Sequence, residues 1–152
     1  MTYRLQAVTL RTDNSLEGME RIAAVWRDIV SGKLPLLTDS DGVMQSGLSP
    51  VSQYSNYAEE ERGLYDLTIM TVPAEFFAEM EEKVQAGLYK KYETRDASGD
   101  VGICAKAAWN AVWTDQQNGS LRRAFTEDYE STVPPACTKD GQAHCYLYIA
   151  VR

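Results

Sequence analysis

AVWRDIVSGKL (Ala24–Leu34) and AVWTDQQNGSL (Ala111–Leu121) are one phrase written twice, 87 residues apart. The shift lays Ala24 on Ala111, Val25 on Val112, Trp26 on Trp113, Asp28 on Asp115, Gly32 on Gly119 and Leu34 on Leu121. Such a match points to a duplicated unit, and each copy sits in a helical pattern. In the first, Asn14 is placed to cap, and Glu17 follows three residues later as in a capping box. Met19, Ile22, Trp26, Ile29 and Val30 then recur at helical spacing before Gly32 stops the helix. In the second, Asp100 is the candidate cap, Cys104, Ala108 and Val112 share a face, and Asn118-Gly119 closes the helix.

Strand patterns flank both helices in the same order. Alternating, aromatic-rich segments precede them at Tyr3–Thr12 and Ala86–Arg95. Ser49–Tyr57 and Gly63–Val72 follow the first helix, and Arg123–Glu130 and Cys145–Val151 the second. The stretch beginning at Pro73 is a short helix, with Glu79 and Lys83 at i,i+4. Turn formers gather at Leu36–Gly47 and Ser131–His144. The fold expected is α+β, in one domain spanning 1–152. Half 1 covers about 1–72, the linker about 73–85 and half 2 about 86–152. Each half is β-α-β-β, and a pseudo-two-fold sets antiparallel sheets and two main helices around a central ligand cleft.

Composition narrows the function. At 152 residues and 44% apolar, the chain buries a real core. It carries a net charge of −7, and its longest basic runs are Lys90-Lys91 and Arg122-Arg123, so it would repel a phosphate backbone; no direct nucleic-acid partner is expected. No leader pattern and no long apolar run appear, which predicts a cytoplasmic protein without a membrane partner. Cys104, Cys137 and Cys145 with the single His144 make neither a disulfide framework nor a zinc site, and no cofactor is expected. Cys145 and His144 are adjacent and would point to opposite faces of a strand, which argues for a small buried thiol beside a surface histidine rather than a nucleophile and its base.

The chemistry-bearing stretch is AFTEDYE (Ala124–Glu130), followed by the aromatic CYLYIAV (Cys145–Val151). On an extended segment Asp128 and Glu130 share a face and Tyr129 opposes them. A carboxylate among rings resists desolvation, and a bound cation relieves that cost while stacking on faces worth about 0.5–2 kcal/mol each. Tyr89 and Tyr92 likewise lie on opposite faces, so only one of them can line such a cleft.

LYKKYE, AVW, DYE and YLYIAV in the second half, with YSNYAEEERGLYDLTIMTVP in the first, resemble the GyrI-like effector-binding domains of AraC-type and MerR-type regulators. Stand-alone integron-cassette proteins that bind cationic drugs are similar in length. The resemblance implies an aromatic cleft whose glutamate recognises organic cations. Asp128-Tyr129-Glu130 matches the family's glutamate motif and Tyr148-Ile149-Ala150-Val151 its closing motif, with Thr132 where the family has tyrosine and Ala150 where it has proline. Glu130 is the expected counter-charge, with Tyr148, Tyr57, Tyr92, Trp109 and Phe125 as expected walls. Trp26 and Trp113 suit core packing. The expected partners are small organic cations, with a separate DNA-binding regulator and a homodimer also open. Two alternatives stand beside this non-enzymatic binder. One is a hydrolase of small electrophiles using Glu130 and a tyrosine; the other is an acidic protein-interaction module.

Overall fold

A computed structural model describes residues 7–30, 48–59, 63–133, 135 and 138–152. The order is β1 (Ala7–Thr12), α1 (Leu16–Val30), β2 (Leu48–Ser55), β3 (Tyr65–Pro73), α2 (Ala74–Gln85), β4 (Tyr89–Asp96), α3 (Val101–Gln117), β5 (Glu127–Val133) and β6 (Ala143–Ala150). This is β-α-β-β written twice with α2 between, an α+β fold. The chain forms two compact units, Met1–Ala78 and Glu79–Arg152, whose boundary falls inside α2. Among the described residues, no helix is long and apolar enough to cross a membrane.

In the first unit β3 lies between β1 and β2, and both pairings are antiparallel. Tyr65, Leu67 and Ile69 alternate onto one face of β3, where Val8, Leu10, Ile22, Val25 and Trp26 pack against them. Ser15, not Asn14, caps α1: its hydroxyl accepts from Gly18 N at 3.0 Å. The Asn14 amide oxygen instead accepts from the Tyr65 hydroxyl at 2.9 Å, so the expected capping box with Glu17 does not form. Met19, expected on the inner face, is instead 50% exposed in the first turn, while Ile22 and Trp26 keep the expected phase against the sheet. The expected stop at Gly32, the loop Leu36–Gly47, residues 3–6 of the first strand and Cys137 lie outside the described residues.

In the second unit β6 is the middle strand, antiparallel to β4 and β5. Cys104, Ala108 and Val112 of α3 bury themselves on Tyr92, Ala143, Cys145, Leu147 and Ile149. Asp100 caps α3 as expected, its carboxylate accepting from Gly102 N and Ile103 N. Gly119 ends the helix at φ +84, a left-handed conformation that favours glycine. The duplicated tryptophans differ in setting: Trp26 packs on its sheet, whereas Trp113 is 41% exposed. Trp109, one turn earlier, is the α3 tryptophan that packs against the core.

Candidate functional site

Glu130 lies opposite Leu147 in the β5–β6 register, and Leu147 belongs to the core beneath α3. Glu130 therefore rises on the helix-covered face. There the indole Nε1 of Trp109 donates to its Oε1 at 2.7 Å. The Trp109 and Trp113 rings follow at 6.1 Å, tilted by 32°. Two residues predicted from sequence, Glu130 and Trp109, thus meet through a directed hydrogen bond.

Phe125 joins them through Arg123, which the sequence marks only as half of the basic pair Arg122-Arg123. The Arg123 guanidinium lies 4.4 Å from the Phe125 ring centroid and 5.9 Å from that of Trp109. Its Nη2 donates to Asp128 Oδ2 at 2.8 Å, with side chains 3% and 0% exposed. Asp128 Oδ1 accepts from Ala150 N at 2.9 Å. Alanine at the position where the resembled family has proline thus supplies the N–H that a buried carboxylate needs. The sequence signal for Arg123 was its place five residues before Asp128, across the turn that carries Phe125.

Tyr92 stands on the same helix-covered face. Its hydroxyl donates to Asp115 Oδ2 at 2.8 Å, and Lys90 Nζ lies 5.0 Å from its ring centre and 3.3 Å from that carboxylate. Burial first, then the bond to Asp115, pushes the Tyr92 phenol above its ordinary range. Tyr89 points to the other face, 6.2 Å ring to ring from Tyr129, as the alternation predicts.

Tyr148 is not brought to Glu130. It lies one residue beyond Leu147 and so occupies the opposite sheet face, nearly fully buried. Its hydroxyl donates to Glu81 Oε1 at 2.9 Å, and Lys91 Nζ donates to the same oxygen at 2.6 Å. Burial, then the bond to Glu81, raises the Tyr148 phenol, while the Lys91 hydrogen bond holds the Glu81 carboxyl below its usual value. Tyr57 belongs to the first unit. There it lies 6.0 Å from Tyr65, with Tyr54 5.5 Å from the same ring, against the α1 cluster.

The hydrogen bonds also bear on hydrolytic chemistry. Glu130 accepts from an indole, while phenol–glutamate bonds run from Tyr148 to Glu81 and from Tyr129 to Glu127. Both Tyr148 and Tyr92 are held protonated by their surroundings, which suits donation and opposes attack as a phenolate. His144 is buried rather than at the surface, because Asp140 at 2.8 Å and the Tyr146 ring, stacked at 6.0 Å, enclose it. Cys145 faces the opposite core, and burial raises its thiol well above the ordinary value. Among the described residues no three His, Cys, Asp or Glu side chains gather as metal ligands.

One pattern unites these aromatics. Trp109 and Phe125 carry Arg123 with Asp128 as its counter-charge; Tyr92 carries Lys90 with Asp115; Tyr146 and Tyr148 carry Lys91 with Glu81. Each set combines ring faces with a carboxylate, the elements of organic-cation recognition.

No family model and no solved structure matches the chain. A Bacillus subtilis (strain 168) protein named "Putative transcriptional regulator protein YobU" is 25% identical over 161 residues, spanning 98% of this chain and 92% of that protein.

Proposed function

We propose that the chain is a cytoplasmic small-molecule-binding module in a regulatory response, taking flat lipophilic cations with Glu130 as counter-charge and Trp109 and Phe125 as ring faces. The likeness to a protein named as a transcriptional regulator supports a regulatory rather than an enzymatic role. The observation that carries the ligand class is the 2.7 Å bond from Trp109 Nε1 to Glu130. It fixes a half-buried carboxylate at the edge of an indole, so a planar cation gains Coulomb attraction and stacking in one place.

The test is a titration of wild type and Glu130→Gln with N-methylquinolinium and its neutral isostere 1-methylnaphthalene, read by tryptophan fluorescence. Glutamine keeps an oxygen for the indole N–H and removes the charge. Affinity for the cation should fall about tenfold, equivalent to about 1.4 kcal/mol, while that for the neutral ligand holds or rises. Equal losses for both ligands would assign Glu130 to the fold and refute its role in reading charge.

A further inference from the structure

Lys91, Glu81, Tyr146 and Tyr148 form a constellation on the sheet face opposite Glu130. Tyr146 and Tyr148 stand two residues apart on the middle strand β6, and Lys91 is the register partner of Tyr148 on β4. The Lys91 ammonium lies 5.1 Å from the Tyr146 ring centre and 5.7 Å from that of Tyr148. It donates to Glu81 Oε1, the oxygen that also accepts the Tyr148 hydroxyl. Two rings, a carboxylate and a fixed phenol thus surround one alkylammonium head.

The parts differ in freedom. Tyr148 is 2% exposed and its strand is paired on both sides, so the rings and the phenol are set by the fold. The Lys91 side chain is 28% exposed and that of Glu81 42%, so the ammonium is reached from solvent and its flexible alkyl stem can swing away. By contrast the Arg123–Asp128 pair, 3% and 0% exposed, is locked in. The set around Lys91 therefore joins a buried phenol, Tyr148, and a half-buried ring, Tyr146, to an exchangeable ion pair; the Lys90–Asp115 pair is similarly exposed but has the single Tyr92 ring beneath it.

We infer that Glu81, Tyr146 and Tyr148 form a binding site for a primary alkylammonium ligand, with Lys91 as the resident group that such a ligand displaces. Lys91 holds the site as an intramolecular competitor, at an effective concentration that a free amine must exceed. Glu93, the register partner of Tyr146, lies on the same face of β4 and adds a second carboxylate for a ligand bearing a further ammonium. The site is independent of Glu130.

The probe is n-propylammonium, the part of the lysine side chain that Lys91→Ala removes beyond Cβ. Millimolar n-propylammonium should raise the melting temperature of Lys91→Ala above the shift given by sodium chloride of equal ionic strength, and should bind wild type at least about tenfold more weakly. Adding Glu81→Gln to Lys91→Ala should abolish the shift, and adding Glu130→Gln should leave it intact. Lys91→Gln keeps the length of a polar strand residue and should respond in the same sense, which separates a binding result from damage by truncation. A shift no larger than that of sodium chloride in both Lys91 variants, or one that survives Glu81→Gln, overturns the site. Loss of the shift with Glu130→Gln overturns its independence from the first site.

Discussion

Removing both members of the Arg123–Asp128 pair should harm the protein less than removing either one. Asp128 is fully buried, with one oxygen bonded to Ala150 N and the other to the Arg123 guanidinium. In Arg123→Met the carboxylate stays buried beside the backbone N–H without that guanidinium, a change that typically costs about 3–5 kcal/mol. Loss of the cation from the Phe125 face adds about 0.5–2 kcal/mol. In Asp128→Asn the amide oxygen can keep the Ala150 bond, but the amide NH2 then meets the guanidinium, and a buried cation loses its counter-charge at a similar cost of about 3–5 kcal/mol. The double variant buries no charge at this point and loses mainly one hydrogen bond and the stack, about 1–3 kcal/mol together. Urea unfolding followed by tryptophan fluorescence, with equal m-values across the four proteins, measures the cycle. A double variant as unstable as the worse single, or singles that lose under about 1 kcal/mol as an exposed pair does, would refute the assignment of a buried, mutually dependent pair.

Ala150→Pro should destabilise by at least about 1–3 kcal/mol, since it removes the N–H that Asp128 accepts, and urea unfolding reads it. Asp100→Ala should cost about 0.5–2 kcal/mol and lower helicity by circular dichroism, because Gly102 N and Ile103 N lose their acceptor. The His144 hydrogen bond, foremost, depresses Asp140 to about 2, so its contribution is present above 3.8 and is lost as pH falls from there toward 2. His144→Phe should therefore flatten the fall of the urea midpoint between pH 4 and pH 2 relative to wild type, and an unchanged slope would deny the linkage.

How much the sequence disclosed depended on whether a feature was local. Helical spacing placed Cys104, Ala108 and Val112 on the buried face of α3, and alternation put Tyr89 and Tyr92 on opposite faces. Asp128 and Glu130 share a face as expected, meeting Arg123 and Trp109 on the helix-covered side. The cap of α1 was misplaced by one residue because Tyr65, distant in sequence, draws on Asn14. Tyr148 departed from Glu130 because strand register, which no single segment encodes, pairs Glu130 with Leu147. Arg123 is not legible as a site residue from sequence, because its role lies in what it touches across a turn, the Phe125 ring and the Asp128 carboxylate. The repeated phrase marked the duplicated helices, yet one turn of α3 moved the packed tryptophan from position 113 to 109.

Phe125 adopts φ +55, a backbone state that bulky residues rarely enter and that costs on the order of 1–3 kcal/mol. The guanidinium of Arg123 lies on its ring, so a change at either position alters what the other one touches. Losing Arg123 first would leave Phe125 with its unfavourable backbone and no cation on its ring. Exchanging Phe125 first for glycine or asparagine would ease the backbone and leave the guanidinium still seated on Trp109 and Asp128. Position 125 can therefore drift while the guanidinium stays seated, whereas Arg123 is held in either order by the carboxylate buried beneath it.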